Sequence, residues 1–228
     1  MDCLAELMDN HKKRLIYYKN QGFNPQNILD IGAYEGAWTL MVKDIFASAN
    51  VTMIEANTDK VKTLEEIGET RIAVLGKTDG DQILYYKCKN GIPTGNSVYK
   101  ENTEYKFEPE VRFCKTLDNF VTKDYDFIKM DVQGSELDII KGGMNTIKKA
   151  EYLLLEMQTV DYNIGAPMAS DVISYLQQHN FMLCDVFDLM YESTGKLIQM
   201  DALFRNGEIN ESPRRNRNTT RQFAVKTS

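Results

Sequence analysis

Residues 27–36 read NILDIGAYEG, an apolar run that leads through a glycine turn into a helical pattern. A short apolar run of this kind is typical of a buried strand, and the glycines mark the turn after it. Gly32 would let the backbone approach a ligand closely, and Gly36 would open the helix without a side chain in the way. Because ligands of open α/β sheets bind at the carboxyl ends of the strands, the stretch predicts a βαβ fold with a ligand site at this turn.

Short apolar runs alternate with helical patterns on the C-terminal side of this stretch, which is typical of βαβ units and a mostly parallel sheet. We predict an α/β, Rossmann-like fold with helices on both faces of a seven-stranded sheet that has an antiparallel edge. Strands are expected at 27–31, 51–55, 71–75, 125–130, 152–157, 181–187 and 201–204, and helices at 2–20, 37–46, 59–67, 135–148 and 169–179.

The length of 228 residues fits one domain, which we place at 1–206 with a leading helix within 1–22. Residues 80–112 do not fit a simple βα repeat, and we expect them to form an insertion near the active site, with a strand at 82–88 and a mobile loop. Residues 207–228 hold five basic side chains against two acidic ones and few apolar residues, so we expect a basic, disordered tail.

The composition narrows the range of functions. The formal net charge of −6 makes the body of the chain a poor match for nucleic acid, which needs a basic surface. The sequence contains no run of about 18 apolar residues, so it does not predict a membrane span. The four cysteines are scattered without metal-binding spacing, which indicates reduced thiols and a cytoplasmic location. The sequence leaves the oligomeric state open.

The glycine turn differs from a dinucleotide fingerprint, since Tyr34 stands where G-x-G-x-x-G has its second glycine. Asp30 adds a negative charge where a pyrophosphate would need donors, and it suits a cation such as the methionine ammonium group of S-adenosylmethionine. Glu55 ends the next strand, where its carboxylate could accept both ribose hydroxyls. NAD(P)-dependent oxidoreductases use the same acid, so they remain an alternative that the missing glycine and Asp30 disfavour. The expected cofactor-binding residues are Asp30, Gly32, Tyr34, Gly36, Glu55, Ala56, Gly76 and Asp131.

Residues 126–136 read DFIKMDVQGSE. This run resembles the hallmark of FkbM-family methyltransferases, D-[FL]-[IL]-K-[IM]-D-[VI]-[EQ]-G-x-E, which is followed by a helix and a Lys-Gly pair, here residues 141–142. Residues 116–118 (TLD) and 154–156 (LLE) resemble two further segments of the family. The sequence departs from the pattern mildly, with Gln133 where Glu is frequent.

The resemblance covers about residues 27–205 and implies a class I methyltransferase fold with S-adenosylmethionine as cofactor. It also implies O-methylation of a small hydroxylated acceptor such as a sugar, a glycan or a polyketide, without saying which one. Two alternatives stay open: an RNA methyltransferase guided by the basic tail, and a non-catalytic nucleoside-binding module of the same fold.

Two carboxylates at neighbouring strand ends are the candidate catalytic residues, Asp131 and Glu156. One of them could act as a general base on a hydroxyl, or both could bind Mg²⁺, which prefers oxygen ligands. We expect Glu136 to offset the dipole of the following helix. Lys129 is expected to point away from Asp131 in a structural role, and His11 is expected to be exposed on the leading helix.

Overall fold

The computed structural model describes residues 3–90 and 95–209, with side chains described from residue 7. Its helices are α1 (Cys3–Asn20), α2 (Ala37–Ile45), α3 (Val61–Ile67), α4 (Leu117–Phe120), α5 (Glu136–Gly142), α6 (Met144–Ile147) and α7 (Ala169–Gln178). Its strands are β1 (Asn27–Ile31), β2 (Asn50–Glu55), β3 (Glu69–Ile72), β4 (Val74–Leu75), β5 (Gln82–Cys88), β6 (Phe107–Lys115), β7 (Phe127–Met130), β8 (Tyr152–Gln158), β9 (Phe181–Tyr191) and β10 (Leu197–Asn206). The expected tail lies almost wholly outside the described residues.

A seven-stranded sheet forms the centre of the fold, in the order β3-β2-β1-β7-β8-β10-β9. The first five of these strands pair in parallel, whereas β10 runs antiparallel to both β8 and β9. The strand order reverses direction at β1 and β7, the kind of switch point at which open α/β sheets bind ligands. The predicted fold class, with seven mostly parallel strands and an antiparallel edge, is confirmed.

Two apolar layers cover the sheet. On one face Leu29, Ile128 and Leu153 pack with α4, α5 and α7, and on the other Ile28, Phe127 and Leu154 pack with α1 and α2. The alternation of neighbouring residues between these layers follows from the period of two along a strand. No helix among the described residues is both long and apolar enough to cross a membrane.

The region after β3 differs from the prediction. The single strand expected at 71–75 is divided: β3 ends at Ile72 in the main sheet, and β4 pairs instead with β6. The strand β6 was not predicted, and it forms a long antiparallel hairpin with β5. Its sequence, FEPEVRFCK, is rich in charge and contains Pro109, which a strand tolerates at an exposed edge. The hairpin and the segment after residue 94 stand beside the carboxyl ends of the main strands.

Candidate active site

A cavity of about 680 Å³ opens at the carboxyl ends of β1, β2, β7 and β8. Helix α1 and the segment 95–105 add further walls. This volume is in the range of cofactor and ligand pockets. Of the predicted site residues, Gly32, Tyr34, Glu55, Ala56, Asp131 and Glu156 line it, whereas Asp30, Gly36 and Gly76 do not.

The glycine turn brings the end of β1 against the end of β7. Gly32 has φ +79°, and a β-carbon there would lie 1.8 Å from the carbonyl oxygen of Asp131. No other residue type therefore fits without moving one of the two strands. Gly36 also has a positive φ, but its side of the helix packs on Ile67 rather than on the cavity, so its role is structural and the expectation of cofactor contact is corrected.

Glu55 lies at the tip of β2 with its carboxylate held by the backbone. The N–H groups of Tyr34 and Asn57 each donate a 2.7 Å hydrogen bond to one of its oxygens. Burial raises the pKa of Glu55, and these hydrogen bonds oppose the rise. Each oxygen accepts one backbone hydrogen bond and keeps a lone pair, so this cavity-lining carboxylate has the geometry to accept a pair of hydroxyls.

An apolar wall borders the Glu55 end of the cavity. It is formed by Ala73, Val74 and Leu75, so the wall lies just before the predicted Gly76. Gly76 instead packs against Cys114, where a β-carbon would meet the sulfur at 2.8 Å. Gly76, expected among the cofactor-binding residues, therefore does not line the cavity, because β4 leaves the main sheet and pairs with β6 there.

Asp30 is fully buried and faces the interior. Thr39 Oγ1 donates a 2.6 Å hydrogen bond to its Oδ2, and Lys129 Nζ lies 3.4 Å from its Oδ1. Asp30 therefore does not line the cavity, and its charge is matched by Lys129, so this geometry does not support the expected contact with the methionine ammonium group.

Lys129 is the positive centre of this edge of the sheet. Its Nζ lies 3.4 Å from Asp131 Oδ2 as well as from Asp30. The expectation that it points away from Asp131 is wrong, because residues two apart in a strand share a face. Burial disfavours its charge, yet the neighbouring charges of Asp30 and Asp131 outweigh burial and raise the pKa of Lys129.

Asp131 and Glu156 are brought together across β7 and β8, as predicted. Gln133 Nε2 donates to both, at 3.0 Å to Asp131 Oδ1 and 2.8 Å to Glu156 Oε2, and Gln199 Nε2 donates to Glu156 Oε1. Gln133 thus bridges two carboxyl groups with one carboxamide. The residue that departs from the family pattern is the one that joins the pair.

The two carboxyl groups differ in protonation. Burial alone would raise the pKa of Asp131, but the charge of Lys129 and hydrogen bonds from Glu156 and Gln133 lower it to about 2. Burial and the neighbouring charge of Asp131 raise the pKa of Glu156 well above its ordinary value. Asp131 is therefore the ionised member at neutral pH, and Glu156 holds the proton that the pair shares.

This donor set does not fit Mg²⁺. The oxygens that a cation would need already face an ammonium group and two carboxamide N–H groups. Within residues 7–90 and 95–209, no group of three or more His, Cys, Asp or Glu side chains is arranged to hold a metal ion. The expected Mg²⁺ site on Asp131 and Glu156 is not supported.

Glu136 has a different function from the one expected. It lies in the first turn of α5, but it is buried, and its Oε1 accepts hydrogen bonds from the backbone N–H groups of Val132 at 3.1 Å and Gly134 at 3.3 Å. Burial raises its pKa to about 7 against these hydrogen bonds. Glu136 therefore fastens the turn that carries Gln133.

Several cavity residues were missed by the sequence reasoning. His11, expected to be exposed, is buried with its Nε2 2.8 Å from Asp201 Oδ2. Glu101 is buried and accepts a 2.6 Å hydrogen bond from the Tyr162 hydroxyl. Both pairs join residues far apart in the chain, so no local pattern could have indicated them.

Comparison with known families and structures places this geometry in context. A family model, the methyltransferase FkbM domain, matches residues 30–183. A search of characterised proteins finds no significant match. The crystal structure of the FkbM methyltransferase from Methylobacillus flagellatus KT is 16% identical, with a TM-score of 0.49 over 79% of this chain and 43% of that one. The chain thus spans less than half the length of that protein.

Two other solved structures are similar over most of both chains. The N-terminal domain of EvdMO1, solved in the presence of SAH and D-fucose, is 11% identical, with a TM-score of 0.51 over 86% of this chain and 82% of that one. Magnesium protoporphyrin IX methyltransferase (ChlM) from Synechocystis PCC 6803, with bound SAM, is 8% identical, with a TM-score of 0.50 over 90% and 85%. At these identities the similarity shows a shared fold.

Proposed function

Because the chain belongs to the FkbM methyltransferase family, we propose that it transfers the methyl group of S-adenosylmethionine to a hydroxyl of a sugar, glycan or related small hydroxylated acceptor. The class I methyltransferase fold of the similar structures supports the donor, since two of them contain SAM or SAH. The observation that carries the proposal is the Glu55 carboxylate, which is held at the tip of β2 and faces the cavity beside the Gly32 turn.

The donor half of the cavity would be the end near Glu55. Glu55 would accept the ribose hydroxyls, and Val74 and Leu75 would border the adenine. Asp131, in place of Asp30, would bind the methionine ammonium group of the donor, since it is ionised, lines the cavity and contacts the Gly32 turn. When bound, the donor supplies a methyl group on a positively charged sulfur, which an acidic cavity favours.

The charge of the cavity argues for a neutral or cationic acceptor. Of the described residues, those that line the cavity include seven acidic side chains, against one lysine and one histidine. The charge of that lysine, Lys129, is already shared by buried carboxylates. A phosphate would meet repulsion without a free cation, which disfavours RNA and nucleotide-linked sugars. The hydroxyl groups of a neutral sugar can donate hydrogen bonds to these acidic side chains. EvdMO1 was solved with D-fucose present.

The binding experiment is calorimetric titration with SAH and, separately, with NADH. We expect the protein to bind SAH and not NADH. Glu55→Ala should weaken SAH binding about 10- to 100-fold, the cost of losing hydrogen bonds to a charged group. The matched control is Glu65→Ala, an exposed acid on α3, which should bind like the wild type. Equal affinity of both variants would remove Glu55 from the donor site.

The activity experiment incubates the protein with S-adenosylmethionine and three classes of acceptor: monosaccharides including D-fucose, nucleoside diphosphate sugars, and a short RNA. Mass spectrometry should detect the gain of one methyl group on a neutral sugar. Methylation of the RNA alone would overturn the proposed acceptor and favour an RNA methyltransferase. SAH binding without methylation of any acceptor would favour a non-catalytic module.

A further inference from the structure

A buried histidine stands at the far end of the cavity from Glu55. His11 is 4% exposed and lines the cavity from α1, together with Leu7 and Met8 of the same helix. The edge of its ring packs against Phe187, with the ring centroids 5.5 Å apart. The ring is therefore fixed in position by both α1 and β9.

A carboxylate orients this imidazole. Asp201 Oδ2 lies 2.8 Å from His11 Nε2. Burial raises the pKa of Asp201, but the hydrogen bond from His11 opposes the rise and favours the ionised carboxylate as acceptor, with the proton on Nε2. The other ring nitrogen, Nδ1, then presents a lone pair. It is buried and has no hydrogen-bond partner among the described residues. Since buried polar atoms are nearly always paired, an unpaired acceptor on a cavity-lining residue points to a ligand hydrogen.

The pair lies beside the reaction site rather than apart from it. Asp201 of β10 is directly opposite Glu156 of β8 in the antiparallel register, so their side chains share a face of the sheet. Asp201 is the charged partner of His11, and it lies opposite Asp188 in the register of β9 and β10. The charges of Asp131 and Lys129 at the end of β7 and of Glu156 on β8 also act on Asp201. Asp188 itself is bonded to Asn10 at 2.8 Å.

The two carboxyl groups at the centre of the site are poorly suited to remove a proton. Asp131 is ionised but weakly basic, because its pKa is lowered to about 2, and Glu156 already holds a proton. Imidazole exchanges a proton near neutral pH and is the commonest general base. A sugar hydroxyl is a weak nucleophile and gains from such a base.

We propose that His11, oriented by Asp201, is the general base that accepts the proton of the acceptor hydroxyl, an inference that rests on the proposed methyl transfer. As the acceptor oxygen forms its bond to the methyl carbon, its proton passes to His11 Nδ1. The carbon–sulfur bond breaks with its electron pair left on sulfur, giving a neutral thioether, the methyl ether and an imidazolium. Asp201, a positioning residue, stabilises that imidazolium, and the proton then leaves to solvent.

The test compares His11→Gln with His179→Gln, since the chain has two histidines and His179 lies at the end of α7, where its ring contacts that of Tyr175. The acceptor is the sugar that the wild type methylates, with D-fucose as the first probe. His11→Gln should lower kcat about 10²- to 10³-fold while the Kd for SAH changes less than twofold. His179→Gln should match the wild type in both.

Two further measurements separate catalysis from a structural role. Asp201→Asn should move the acidic limb of the kcat/KM profile to lower pH, since the imidazolium loses its carboxylate, and NMR titration of the His11 ring should move in parallel. His11→Ala leaves a hole in the cavity wall, and added imidazole should restore part of its kcat. Circular dichroism and SAH titration check that each variant is folded.

The outcomes divide the two proposals. If the wild-type protein methylates no sugar, both the proposed function and the assignment of His11 as general base are overturned. If the wild-type protein methylates a sugar and His11→Gln keeps a kcat within threefold of the wild type, only the assignment of His11 as general base is overturned. An acidic limb that stays fixed in Asp201→Asn, or a His11→Ala variant that imidazole does not rescue, overturns the assignment of His11 and Asp201 as base and positioning residue.

Discussion

Lys129 Nζ lies 3.4 Å from Asp30 Oδ1, and both side chains are almost fully enclosed, at 8% and 0% exposed. The pair forms because Asp30 and Lys129 are direct partners in the parallel register of β1 and β7. The same ammonium also faces Asp131 at the cavity. The buried ammonium group of Lys129 therefore balances the charge of Asp30 inside the sheet and that of Asp131 at the cavity.

Replacement of Lys129 by methionine should destabilise the protein by about 3–5 kcal/mol, because it leaves buried carboxylates without a counter-charge. Urea denaturation at pH 8 measures the loss. The control is Lys149→Met, which breaks an exposed 2.7 Å pair with Asp124 and should cost less than about 1 kcal/mol. Adding Asp30→Asn to Lys129→Met should recover part of the stability. Additive losses in the double variant would contradict the coupling.

Much of the fold was predictable because the spacing of apolar residues along the chain indicates where strands and helices lie. The expected first strand at 27–31 coincides with β1, and the parallel pairing of β3, β2, β1, β7 and β8 follows from the repeated βα units. The hairpin strand β6 was missed because it packs little of its surface: Val111 and Phe113 are exposed, and Cys114 alone among its residues is buried. The division of β3 from β4 depends on pairing with that hairpin, which lies far along the chain.

The place of three acids at the cavity was predictable, because Glu55, Asp131 and Glu156 each come at the end of an apolar run. Asp30 was placed correctly in the sequence but assigned to the wrong surroundings, since a strand residue faces whichever layer its register dictates. The pairing of His11 with Asp201 spans 190 positions, so only the folded chain reveals it.

Gly32→Ala tests the close approach of β1 and β7. A β-carbon would meet the Asp131 carbonyl oxygen at 1.8 Å, at a φ of +79°. Gly80 has a φ of +82° with nothing within 4 Å, so Gly80→Ala isolates the conformational cost, about 1–2 kcal/mol. We expect Gly32→Ala to cost at least about 2 kcal/mol more in urea denaturation, or to prevent folding. Equal losses would show that the strands separate freely.

Gln133→Glu tests the bridge between the two carboxyl groups. It replaces the carboxamide that donates to Asp131 and Glu156 with a third acid, the residue frequent in the family pattern. We expect a loss of about 2–4 kcal/mol at pH 8 and a smaller loss at pH 5, where the new carboxyl can take up a proton. The control is Gln82→Glu, at an exposed position of β5, which should change the free energy of unfolding by less than about 0.5 kcal/mol. A loss that is independent of pH would indicate a purely steric effect.

Glu136 should make the stability depend on pH. Burial raises its pKa from 4.5 to about 7 in the folded protein, so the folded state keeps a proton that the unfolded state has lost between these values. The contribution of this group is therefore complete below pH 4.5 and disappears as the pH rises through 7, at up to about 1.4 kcal/mol per pH unit.

Glu136→Gln removes this titration but keeps an oxygen that can accept from Val132 and Gly134. The free energy of unfolding, measured by urea denaturation from pH 4 to pH 8, should fall less steeply for the variant than for the wild type between pH 4.5 and 7. The gain of the variant over the wild type should then be larger at pH 8 than at pH 4. Glu65→Gln on the exposed side of α3 should follow the wild-type profile. Parallel profiles for Glu136→Gln and the wild type would mean that the buried carboxyl stays ionised, with the two backbone N–H groups outweighing its burial.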